Sequence, residues 1–135
     1  MTMIQASPLL RGALALDAAA CAGMGGLLSL AAAPLSPLLG LPEPLLRGAG
    51  LLLLPCAALL AWLSRRPELP RLAVLAVIGV NLMWIADSLL LLAGGWFAPT
   101  GLGIAFVLAQ AGAVLALTMA ETVGLGRSVR HGAPA

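Results

Sequence analysis

The sequence predicts an all-α polytopic membrane protein: an antiparallel four-helix transmembrane bundle with both termini on the cytoplasmic side. Three observations predict it. The 135 residues are 61% hydrophobic and only 9% charged, with mean hydropathy +1.08, and a soluble domain of this size needs far more charge to cover its surface. The apolar residues gather in four runs, each near the roughly 20 residues that cross a bilayer. All seven positive residues are arginines. Six of them (Arg11, Arg65, Arg66, Arg71, Arg127 and Arg130) fall on one side of the membrane those runs imply, and only Arg47 falls on the other. Positive charge collects on the cytoplasmic side of membrane proteins, so the pattern orients the chain.

The whole chain, 1–135, reads as one transmembrane domain with spans at about 9–33, 45–64, 71–93 and 101–123. Each span begins at or near a proline: Ser7-Pro8, Glu43-Pro44, Leu69-Pro70 and Pro99-Thr100. Proline suits a first helical turn because the N–H it lacks would have no intrahelical partner there. Ser7 and Thr100 are placed to cap free N–H groups, and Gly94-Gly95 and Gly124 stand where the last two spans should stop. Short connections make consecutive spans antiparallel neighbours. The longest, Pro34 to Pro44, holds four prolines among leucines and is expected to lie at the lipid–water interface. Trp62 and Trp96 fit the two aromatic belts, whereas Trp84 falls well inside the bilayer. Arg11, the apolar run and Ala18-Ala19-Ala20 before Cys21 imitate a cleaved leader, but Asp17 interrupts the run, and the run continues past Cys21.

A helix rises 1.5 Å per residue, so depths can be compared between spans. Cys21, Pro55, Cys56, Asn81 and Gln110 all fall near the midplane. Pro55 deprives the Leu51 carbonyl of its donor, and hydrocarbon supplies no other. Asn81 or Gln110 is in a position to donate to it, or the two can bond each other. Such a polar layer either fixes helix register or forms a midplane site for an ion or small molecule, as broken helices do in transporters. Asn81, Trp84 and Ser88 fall at i, i+3 and i+7 and share one helix face. Ala18, Ala22 and Gly26 in the first span, and Gly112, Ala116 and Ala120 in the last, form small-residue ladders that permit close helix approach.

Three acids lie in or near spans, and such residues are costly in a bilayer and often functional. Depth suggests a partner for two of them. Arg47, one turn into the second span, is level with Asp87 in the third. Glu121 is level with Arg11 and near Arg127. Asp17 has no obvious partner and stands out as a protonatable group. The candidate ligand or packing layer is therefore Asp17, Asn81, Trp84, Ser88 and Gln110, and the candidate ion pairs are Arg47–Asp87 and Arg11–Glu121.

Several classes are disfavoured. A net charge of +2 supports no nucleic-acid role. The only histidine, His131, is in the polar tail, so no span offers an imidazole to a tetrapyrrole. Cys21 and Cys56 without a nearby His make no zinc site, and buried thiols usually behave as small hydrophobes. No phosphate loop, nucleophile–base pair or catalytic acid pair is present. The expectation is a protein that is not an enzyme and carries no cofactor or metal.

The second half carries Asn81-x-x-Trp84-x-x-x-Ser88, Thr100-Gly101-x-Gly103, Gln110-Ala111 and Glu121-x-x-Gly124-Leu125. In these it resembles a loosely defined group of small four-span bacterial inner-membrane proteins with no assigned activity. The resemblance covers about half the chain and implies a four-helix inner-membrane fold. The absence of Lys and Tyr and the dominance of Ala and Leu also suggest a bacterial source. In size the chain is similar to the small multidrug transporters, but its first-span acid is Asp17, and the Gly/Thr/Tyr context of their later spans is missing. Two functions follow as expectations. The first is a non-enzymatic bilayer protein acting through helix packing, with itself as a homo-oligomer or with a membrane-protein partner. The alternative is a small-molecule or proton-coupled transporter or channel that uses Asp17 and the midplane layer.

Overall fold

The structure, a computed structural model, describes residues 2–130; His131 lies outside the described residues. Four helices are long and apolar enough to cross a membrane: α1 (Pro8–Leu30), α3 (Glu43–Ser64), α4 (Arg71–Ala93) and α5 (Gly101–Gly126). A shorter helix, α2 (Ala32–Leu39), follows α1. Three short strands, β1 (Met3–Gln5), β2 (Glu68–Pro70) and β3 (Val129–Arg130), complete the chain.

The predicted capping residues act as such. The Ser7 hydroxyl accepts from the Leu10 N–H at 3.1 Å, and the Thr100 hydroxyl accepts from Gly103 at 3.0 Å. Pro8 and Pro44 occupy first turns, and Pro42 and Pro70 are cap residues. At the end of α4 the chain leaves the helix through Gly94 and then Gly95, which takes φ +73°, a left-handed conformation natural to glycine.

Three features differ from expectation. The proline-rich connection is helical. α1 stops at Ala31, and α2 starts at once with Pro34 in its first turn, where a missing N–H costs nothing. α2 then lies against the start of α5: the Thr100 N–H donates to the Leu39 carbonyl at 3.0 Å and the Thr100 hydroxyl to Leu38 at 2.6 Å. Gly124 does not end α5, which runs on to Gly126. Its role is contact, because a Cβ at Gly124 would stand 2.7 Å from the Leu10 backbone of α1. Finally, β1 pairs antiparallel with both β2 and β3 in the order β2-β1-β3, with Ile4 opposite Leu69 and Arg130. Both ends of the described chain and the α3–α4 connection are thereby tied together at one end of the bundle.

The helices do not pack evenly. α1 lies along α3 and α5, and α4 lies along α5, whereas α3 and α4 have next to no backbone contact despite being consecutive. The expectation that all consecutive spans are packed neighbours fails for this pair. Among the long helices the α1–α3 crossing is the tightest: a Cβ on Gly50 would come within 2.6 Å of the Ser29 backbone nitrogen, and one on Gly25 within 3.0 Å of the Gly50 carbonyl. Within the small-residue ladders, Gly26 and Gly112 meet nothing; the close approach is made by other glycines. Apolar clusters close the two ends. Ile4, Leu10, Leu63, Leu69 and Val74 fill the sheet end, and Leu28, Leu39, Leu41, Leu46 and Val107 fill the end under α2.

Candidate functional site

Between the two apolar plugs the polar side chains form two clusters rather than one midplane layer. The first joins three helices. Asp17 of α1 is 2% exposed and Glu121 of α5 is 0% exposed, with Asn81 of α4 buried between them. The Asn81 amide nitrogen donates to Asp17 Oδ2 at 3.0 Å and approaches Glu121 Oε2 at 3.4 Å and Oε1 at 3.5 Å. The two carboxyls thus converge on one amide nitrogen. Cys21, one turn after Asp17, directs its thiol to Asp17 Oδ1 at 3.6 Å.

The second cluster links α4 to α5. Trp84 Nε1 donates to Gln110 Oε1 at 2.7 Å, Gln110 Nε2 donates to Ser88 Oγ at 2.9 Å, and Ser88 Oγ donates to the Trp84 carbonyl at 2.7 Å. Gln110 also donates to the Val107 carbonyl at 3.0 Å. The i, i+3, i+7 face of α4 therefore divides its work, Asn81 serving the acids and Trp84 and Ser88 serving Gln110. Asn81 and Gln110 do not bond each other, and among the described residues no side chain donates to the Leu51 carbonyl. Helix α3 runs unbroken through Pro55, which is exposed on its surface.

Both candidate ion pairs are replaced by other contacts. Arg47 pairs with Glu43 on its own helix at 2.8 Å, not with Asp87, because four residues along one helix place the two side chains side by side. Asp87 instead borders the outer part of the gap between α3 and α4. Arg11 is exposed and donates through Nε to the Ser64 carbonyl at 3.2 Å, while Glu121 turns inward to Asn81. Asp17, for which depth suggested no charged partner, accepts from Asn81 across the bundle.

The gap between α3 and α4 is a cleft opening sideways. Its inner part, of about 390 Å³, is walled by apolar side chains of α3 and α4 and reaches Asp17, Cys21, Cys56, Asn81 and Trp84. Its outer part, of about 220 Å³, reaches Asp87, Ser88 and Gln110. Leu52 and Trp84 border both parts and so stand at the divide. Both cysteines are free thiols. Among the described residues no group of three or more His, Cys, Asp and Glu is arranged to hold a metal ion.

The Asp17–Asn81–Glu121 group was not predicted as a unit, although a signal for half of it exists. Asp17 lies nine residues and Asn81 ten residues from the sheet-end start of their helices, so both stand about 14–15 Å deep. Depth alone does not single out that match, because it carries no information on helix rotation. The small sheet has only the faint signal of Ile4 and Leu69, single apolar residues between more polar neighbours. No protein-family model, no curated protein and no solved structure matches the chain.

Proposed function

We propose that this chain is a small multi-pass transporter of the bacterial cytoplasmic membrane, with both termini cytoplasmic. It admits a cationic lipophilic molecule from the bilayer through the α3–α4 cleft and exchanges it for a proton held between Asp17 and Glu121. The observation that carries this reading is the acid pair itself, two buried carboxyls on one amide nitrogen at the wall of an apolar cleft.

A device that only fixes helix register needs one Asn. Two acids are an expensive way to do the same, and acids inside a membrane are characteristic of proton and ion paths. Two carboxyls that converge on one amide nitrogen beside an apolar cleft are suited to carry a proton. Loss of that proton leaves a negative charge that an entering cation neutralises. Asn81 orients both carboxyls. Trp84 offers an aromatic face to a cation at the divide of the cleft. The arginine distribution supports the orientation, since the sheet gathers the arginine-rich connection and both described ends on one side.

The test is efflux of a lipophilic cationic dye from sealed vesicles under a proton gradient. Flux is expected with the wild-type chain and is expected to be lost in Asp17→Asn and Glu121→Gln. Equal flux in those variants, or none in the wild type, removes the proposal.

A second reading is favoured by the missing α3–α4 contact: a helix from another copy or a membrane partner would fill the cleft and bury its walls. Under it the purified protein is a stable oligomer or complex, and filling the cleft with Val80→Trp disrupts assembly. Under the transport reading the same variant leaves assembly unchanged and blocks flux.

A further inference from the structure

We infer that the sheet end of the bundle carries a binding site for the phosphate of an anionic phospholipid, formed by Arg11, Arg65 and Arg66. These arginines come from the start of α1 and the end of α3, and they border a single recess of about 570 Å³ beside β2. The strand pairing of β1 with β2 brings the two ends together, and the Ala6 N–H bond to the Pro67 carbonyl at 2.9 Å closes the corner. The recess is therefore built by the fold and is not an accident of three flexible side chains.

Two of the guanidinium groups are positioned. Arg11 gives Nε to the Ser64 carbonyl at 3.2 Å, which leaves its terminal nitrogens directed elsewhere. Arg66 lies over the Trp62 ring, 4.6 Å from its centre, which holds the guanidinium plane and leaves its edge for hydrogen bonding. Planar guanidinium groups bind phosphate oxygens in pairs. Glu68 is the one carboxylate at the recess, so three positive groups face one negative group.

The location selects a lipid. The recess sits at the membrane-interface end of α1 and α3, where Trp62 is exposed as aromatic belt residues are. Arg66 and Trp62 also border the inner cleft between α3 and α4. A phospholipid with its phosphate on the arginines therefore lays an acyl chain across Trp62 onto apolar surface, which a free phosphate ion does not use. This site is independent of any transport through the cleft.

The test is native mass spectrometry of the full chain released from detergent micelles, titrated with phosphatidylglycerol or with phosphatidylcholine. One phosphatidylglycerol is expected to be retained in preference to phosphatidylcholine. Arg65→Gln is expected to weaken retention about 5-fold, and Arg11→Gln with Arg66→Gln roughly 30-fold. Arg47→Gln, which removes the same charge at the opposite end, is expected to bind as the wild type does. Arg65 makes no hydrogen bond from its side chain among the described residues, so its variant still reports if the double variant fails to fold. Equal retention of the two lipids, wild-type retention in both recess variants, or full displacement by millimolar inorganic phosphate would overturn the lipid site.

Discussion

The α1–α3 and α3–α4 contacts place the same helix against two neighbours with opposite results. α3 meets α1 through Gly50 and Gly25, so closely that Gly50 has no room for a methyl group and Gly25 only if its neighbours shift slightly. It faces α4 across a cleft instead. Both interfaces are apolar, so hydrophobicity does not separate them; in lipid it drives no helix association. Backbone access does. Where glycines let backbones approach, the helices dock by van der Waals contact. Where Leu52, Leu59 and Val80 project, the helices stay apart, and the polar groups that α4 needs are supplied by α1 and α5. Under the proposed transport, the tight side is scaffold and the open side is the ligand's entrance.

The sharpest way to break that comparison is to add volume on each side. Gly50→Leu is expected to destabilise the bundle by about 3 kcal/mol or more, since the Ser29 backbone cannot retreat. Ala76→Leu, which adds similar bulk at the cleft wall, is expected to cost less than about 0.5 kcal/mol. Reversible unfolding in mixed micelles measures both, and equal losses would mean that the two interfaces do not differ as described.

Asn81→Leu comes next. It strips Asp17 and Glu121 of their shared donor, and a buried acceptor left unpaired costs about 1–3 kcal/mol. Adding Glu121→Leu should recover part of that loss, because removing both partners of a buried bond is cheaper than removing one. A double variant no more stable than the single would show that the acids do not depend on the amide.

Trp84→Phe removes the bond to Gln110 and part of the ring, and the lost bond is expected to cost about 0.6 kcal/mol, the average for interhelical bonds in membranes. Ser29→Ala bears on the tight side. The Ser29 hydroxyl is buried there without a hydrogen-bond partner among the described residues, so its loss is expected to be neutral or slightly stabilising, by up to about 0.5 kcal/mol. A clear destabilisation would reveal a hydrogen bond at the crossing. A similarly small effect belongs to Arg47→Leu, which breaks one exposed pair with Glu43 worth about 0.3–0.5 kcal/mol.

Some of the site could be read before the fold was known. Asp17, Asn81, Trp84, Ser88 and Gln110 were all singled out from polarity within apolar runs, and all five lie at the helix contacts or the cleft. Their pairing could not be read, because depth along a helix is one coordinate and a contact needs the rotation of each helix as well. Asp87 and Arg47 agree in depth and still do not meet, whereas Asp17 and Glu121, on the first and last helices, converge on Asn81.

By itself the sequence determined the four long apolar helices, their starts at proline, Ser7 and Thr100, and the end of the bundle at which most arginines gather. Those properties depend on length, local backbone chemistry and charge, each carried by a short stretch of chain. Only the tertiary structure decided that α3 and α4 stand apart, that three strands bind both described ends to one connection, and that two acids share one amide. Those outcomes depend on which glycines let which backbones approach, a property of surfaces in three dimensions that no single helix contains.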